Sequence, residues 1–132
     1  MDKKVLVEKD IEEGKRLIEA LDKTDFQVEA AMWFCMTDSE EWRFLIASPF
    51  VEKKGSREAY GFIQSVLAKL SPPSEVSLKN ISVLGPKDRL ISVLRTAVGI
   101  RPGISGIRFT QNIIDNTLIE DAYIYRNTVT KP

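Results

Sequence analysis

The chain has no histidine and a single cysteine among its 132 residues. Without histidine there is no Ser-His or Cys-His pair, no imidazole general base and no histidine-bearing zinc site. A lone Cys35 can form no internal disulfide and lacks a second thiol for a Cys-type metal site, a usage that fits a reducing compartment. No apolar run approaches membrane-spanning length, and the opening MDKKVLVEKDIEEGK lacks the apolar centre of a signal peptide. Together these absences predict a cytoplasmic protein with no membrane partner. Neither a Walker A loop nor Gly-x-Gly-x-x-Gly is present, and GISGI does not have the spacing of a Gly-x-Ser-x-Gly elbow. No cofactor and no metal are expected, and any catalysis would be left to carboxylates, lysine, tyrosine or a hard metal.

An excess of one charge is also missing, since 19 basic side chains balance 19 acidic ones. That balance argues against a polyanion binder held by bulk charge. The charges are nevertheless unevenly placed: residues 1–66 carry ten basic and fourteen acidic side chains, residues 67–132 nine and five. Lys87, Arg89, Arg95, Arg101 and Arg108 lie close together in the chain, with Asp88 the one acid among them. Such a segment can supply a basic patch for an anion or one half of a self-complementary interface.

The apolar pattern sets out the elements. Asp10 to Glu13 has capping-box spacing, and Ile11, Leu17, Ile18 and Leu21 follow at helical intervals, which predicts a helix over 11–22. Phe26 to Met36 and Trp42 to Ser48 read as strands joined by an acidic turn, with Pro49 closing the second. The pattern leaves the register of that hairpin open; with Asp38-Ser39-Glu40-Glu41 as its loop, Trp33, Cys35, Trp42, Phe44 and Ile46 share one face, and Met32, Phe34, Met36, Leu45 and Ala47 the other. Because both faces are apolar, the hairpin requires a layer on each side, either helices on both or a second copy on one. A helix over 57–70, a strand over 79–84 and a helix opened by Gly85-Pro86 and closed by Gly99 come next.

The segment IRFTQNIIDNTLIEDAYIYR reads as a second hairpin turning at Asp115-Asn116, pairing Ile107 with Ile124, Arg108 with Tyr123 and Ile113 with Leu118. One face then holds Ile107, Phe109, Ile113, Leu118, Ala122 and Ile124, the other Arg108, Thr110, Asn112, Asp121, Tyr123 and Tyr125. The predicted architecture is one α+β domain over 1–132, a mixed five-stranded sheet with three helices in the order α-β-β-α-β-α-β-β.

The second hairpin's polar face holds the candidate site. Arg108 and Asp121 are diagonal neighbours in this register, within ion-pair reach beside Tyr123 and Tyr125, and Arg101 stands on the preceding loop. GIRPGISGIR resembles a phosphate cradle, but a helix presents its negative end to that loop, so an anion there would depend on the arginine side chains. Gly106 is expected to oppose Tyr125 and leave room for its ring. A secondary anion site is Lys54, Ser56 and Arg57 at a helix start, where Ser56 can equally cap its own first turn. Glu120 and Asp121, adjacent on a strand, point to opposite faces and cannot serve one metal by that spacing.

GISGIRF and IEDAYIYR, with VEAAMWF, EWRFLIASPFVEKKGSREAY and ISVL, resemble a group of small stand-alone uncharacterised bacterial proteins over roughly residues 10–126. The resemblance implies a single bacterial cytosolic domain and carries no activity, cofactor or catalytic residue. Residues and resemblance together predict a non-enzymatic binding or interaction module that self-associates as a homo-oligomer, most simply a dimer. It would hold a protein partner or a small anionic ligand at Arg101, Arg108, Asp121, Tyr123 and Tyr125. The alternatives are a nucleic-acid- or phosphate-associated protein using the basic 87–108 segment, and a metal-dependent hydrolase built on Asp121 with Glu120 or Asp115.

Overall fold

The computed structural model describes residues 5–36, 41–98, 106–114 and 116–127, without the side chains of 95–98 and 112. The elements are α1 (Glu8–Asp22), β1 (Ala30–Cys35), β2 (Trp42–Ala47), α2 (Pro49–Lys54), α3 (Ser56–Lys69), β3 (Ile81–Leu84), α4 (Arg89–Val98), β4 (Ile107–Ile114) and β5 (Thr117–Asn127). The five strands form one sheet in the order β3-β2-β1-β5-β4. Only β3 runs parallel to its neighbour, as a strand reached through a helical crossover does.

The first hairpin pairs Trp33 with Phe44 and Cys35 with Trp42, two residues away from the register that a loop of residues 38–41 would set; a slip of two keeps every side chain on its face. Its two apolar faces are both buried, and both layers come from this chain. Trp33, Trp42, Phe44 and Ile46 join Leu17, Ile18 and Leu21 of α1 and Ala59 and Ile63 of α3 in one core. Met32, Phe34, Leu45 and Ala47 join Ile91 and Leu94 of α4 in a second. At about 1.5–3 kcal/mol for each fully buried aliphatic or aromatic side chain, these two layers supply most of the drive to fold.

α1 is fastened to the sheet by polar contacts as well. Trp33 donates through Nε1 to the Asp10 carbonyl at 3.1 Å, and the Tyr125 hydroxyl donates to the Ile11 carbonyl at 2.6 Å. The β1–β5 register slips between Ala31 and Met32, which pair with Arg126 and Ile124, so Tyr125 is an extra residue on β5. That bulge turns Tyr125 and Arg126 toward the same helix. Tyr125 holds the first turn of α1, while Arg126 grips Asp22 in its last turn through bonds of 2.9 and 2.8 Å. A Cβ on Gly14 would collide with the Tyr125 hydroxyl and the Phe44 ring, so glycine lets the helix settle this close.

Several boundaries differ from the sequence reading. α1 begins at Glu8 rather than at residue 11; Asp10 is its third residue and caps the start from inside the helix, accepting from the amide of the N-cap Val7 at 2.9 Å, instead of being the N-cap itself. Glu13 therefore does not close a capping box; it accepts from Arg16 and from the Glu75 amide, holding the turn after α3. β1 starts only at Ala30, because the Thr24 hydroxyl accepts the Phe26 amide and bends the chain there. Phe26 instead stacks with Phe50 and Phe62, at centroid distances of 5.0 and 5.3 Å.

Pro49 does not merely close β2. It opens α2, an unexpected fourth helix, with Ser48 as the cap accepting from the Phe50 amide. α4 starts at Arg89, capped by Asp88 through the Leu90 amide, and not at Gly85-Pro86. The assignment of Gly99 as a helix cap lies outside the described residues.

Candidate functional site

The second hairpin keeps the expected register, with Ile107 opposite Ile124, Arg108 opposite Tyr123 and Ile113 opposite Leu118. Asn116 takes a left-handed φ of 64°, as a tight two-residue turn demands. Pairing through β1 aligns Phe44, Trp33, Tyr123 and Arg108 in one row across β2, β1, β5 and β4. Along that row the environment passes from core to solvent.

Arg108 meets Asp121 as a bidentate pair, Nε to Oδ1 at 2.6 Å and Nη2 to Oδ2 at 2.8 Å. The guanidinium also lies 5.6 Å from the centroid of the Trp42 ring, within cation–π range. Its pKa is raised above the ordinary arginine value, chiefly by the hydrogen bond to Asp121. With the arginine side chain 44% and the aspartate 25% exposed, the pair contributes about 1 kcal/mol or less to stability. Both oxygens of Asp121 accept from Arg108, so a metal at this carboxylate would stand against the positive charge of the guanidinium. Among the described residues no group of three or more acidic or cysteine side chains is placed to hold a metal ion.

The two tyrosines separate. Tyr123 is half-buried, its ring edge-on to Tyr125 at 5.2 Å between centroids. Tyr125 itself is 1% exposed and belongs to the α1 core, where burial pushes its hydroxyl well above the usual tyrosine range. It is thereby withdrawn from any surface that Arg108 and Asp121 present. Gly106 does make room for a ring, but it is the Tyr123 ring and not that of Tyr125; a Cβ at Gly106 would coincide with the Tyr123 hydroxyl. Arg101 lies outside the described residues.

The outer end of the hairpin departs from simple alternation. Ile119 is fully buried in the α4 core together with Ala122, although three positions separate them on one strand; Ile114 and Phe109 pack there as well. Ile113 and Leu118, expected on that covered face, are 73% and 44% exposed. The cause is Gln111, whose φ of 51° places a non-glycine residue in the left-handed region. The pairing survives on either side of Gln111 while the two faces exchange. In sequence the sign of this ambiguity is that both faces of the tip are apolar, Ile113 beside Ile114 and Leu118 beside Ile119.

The α1-side face of the outer hairpin therefore runs from Tyr123 through the Arg108–Asp121 pair to the uncovered Ile113 and Leu118. Lys87 and Arg89 lie on the other side of the sheet, at the start of α4, so the fold separates them from Arg108. The Arg95 side chain is not among those described. Lys54, Ser56 and Arg57 are exposed at the α2–α3 corner; α3 begins at Ser56, and Gly55, not Ser56, is its cap. A cleft of about 350 Å³ lies elsewhere, between Asp22, Glu29 and Arg126. Its guanidinium holds Asp22 and the Val28 carbonyl, so this cleft is tied to the fastening of α1.

No helix of the described residues is long and apolar enough to cross a membrane. Comparison with known proteins finds no matching family model, no similar curated protein and no similar solved structure.

Proposed function

We propose that the protein is a non-enzymatic interaction module whose working surface is the outer β4–β5 face around Arg108, Asp121, Ile113 and Leu118. One observation carries the reading: among the described large aliphatic and aromatic side chains of the sheet, Ile113 and Leu118 are the two that stand exposed, at the end of the hairpin that holds the Arg108–Asp121 ion pair. Strand pairs apolar on both faces are normally covered on both. Here α4 supplies one cover, and the α1-side core, fastened at Tyr125 and Trp33, does not include Ile113 or Leu118. An exposed apolar pair rimmed by charges is the pattern of a contact surface, in which apolar groups supply affinity and the charges fix orientation.

The test is a photo-reactive phenylalanine at position 113, compared with one at Lys53 on the exposed surface of α2, in the cells that make the protein. The reading predicts a discrete cross-linked product at 113 and none at 53, with the mass of the product identifying the bound species. Absence of any product at 113, or equal labelling at both positions, removes it.

A further inference from the structure

We infer that the occupant of this face is a second copy of the same chain, docked about a two-fold axis beside the Arg108–Asp121 pair. The inference rests on the surface assignment above and adds the identity of the partner. A two-fold contact brings one patch against itself, so every group in it must find its complement within the same patch. This patch meets that condition. Among the described residues it carries a cation and an anion held as one ion pair, and two aliphatic side chains on adjacent strands.

The hydrogen-bonding capacity is self-complementary as well. Arg108 places two of its N–H groups on Asp121, out of the five that a guanidinium offers. Each Asp121 oxygen accepts one of these bonds and can accept another. Rotated about the axis, the remaining donors of one Arg108 face the remaining lone pairs of the other Asp121. The result is a ring of alternating charge in which no intramolecular bond is broken, with Ile113 and Leu118 of each copy covering those of the other.

Charge points the same way. The described charges of the patch, Arg108 and Asp121, offer a strongly acidic or basic partner no excess of opposite charge, whereas a second copy, of zero net charge, is not repelled. Strand-to-strand pairing along β4 is the less suitable geometry, because Gln111 exchanges the faces in mid-strand and residues directly opposite across such an edge would point to opposite sides. The contact is confined to one face of a hairpin, at the small end of specific interfaces, so its dimer is expected to form with rising concentration.

Sedimentation velocity of the full chain over about 10 to 300 μM, the range suited to so small a contact, reads the outcome directly. The wild type should pass from monomer to twice the monomer mass as concentration rises, and Ile113→Lys should remain monomeric. The decisive arm uses two single charge reversals. Arg108→Asp makes the patch doubly negative and Asp121→Arg makes it doubly positive, so each should be monomeric alone. Mixed in equal amounts they should form a one-to-one dimer, which also shows that both are folded.

A wild type that stays monomeric throughout, or a mixture that stays monomeric while the wild type dimerises, overturns the inference. Monomeric behaviour together with a cross-linked foreign protein at position 113 removes the second copy but leaves the surface assignment standing. Monomeric behaviour with no product at 113 removes both.

Discussion

The two edges of the sheet are finished in opposite ways. β3 is four residues long, and Ile81 and Val83 are buried at 1% and 8% exposure. Side chains from neighbouring elements satisfy its backbone: the Tyr60 hydroxyl accepts from the Val83 amide at 3.0 Å, and Arg43 donates to the Ile81 carbonyl and the Ser82 hydroxyl at 3.1 and 2.7 Å. β4 is twice as long and none of its described side chains is fully buried. Among the described residues its backbone–backbone bonds run to β5 alone, and one left-handed residue interrupts it. A short, capped edge cannot recruit another strand, and neither can an edge whose faces exchange halfway. The difference lies in what is left over, which is nothing at β3 and an apolar pair with an ion pair at β4.

The contrast is sharpened most by truncating one isoleucine at each edge. Ile81→Ala should destabilise by about 2–5 kcal/mol, the cost of a cavity in a core that cannot close around it. Ile113→Ala should stay within about 0.5 kcal/mol, as an exposed substitution does. Urea unfolding of the two variants measures both, and comparable losses would mean that the β4 tip is covered within the monomer.

Tyr60→Phe, which removes the hydroxyl that accepts from the Val83 amide, should cost about 1–3 kcal/mol. An unchanged midpoint would show that β3 is not sealed from that side. A smaller effect of opposite sign is expected at Gln111→Gly. Glycine usually weakens a strand, yet at φ 51° it should stabilise by about 1 kcal/mol by removing the left-handed penalty. A loss of stability would mean that the face exchange is not located at Gln111.

How much of this was legible differs between the two hairpins. In the first, AAMWFC and WRFLIA are largely apolar on both faces, so double burial followed from the pattern, whereas the register did not, because a slip of two residues leaves the same side chains on each face. In the second, the turn residues Asp115-Asn116 pinned the register, but Ile113-Ile114 and Leu118-Ile119 offer equivalent apolar sets to either side. Which set turns inward depends on where α4 lies and on a single backbone angle, and neither has a residue-type signature. The same holds for the β5 bulge that sends Tyr125 and Arg126 to one helix and takes Tyr125 out of the candidate site. The short helix after Ser48-Pro49 was readable in principle, since a serine cap followed by proline is a helix-start signal.

The sequence by itself determined what is set by local chemistry and periodicity: an α+β domain, five strands, the register of the second hairpin and the diagonal approach of Arg108 to Asp121. Tertiary structure alone decided which faces are covered. Coverage depends on where distant helices come to rest, on the bulge at Tyr125 and on the left-handed turn of Gln111. Burial is a relation between elements far apart in the chain, and a pattern apolar on both faces is compatible with either arrangement until a helix occupies one of them.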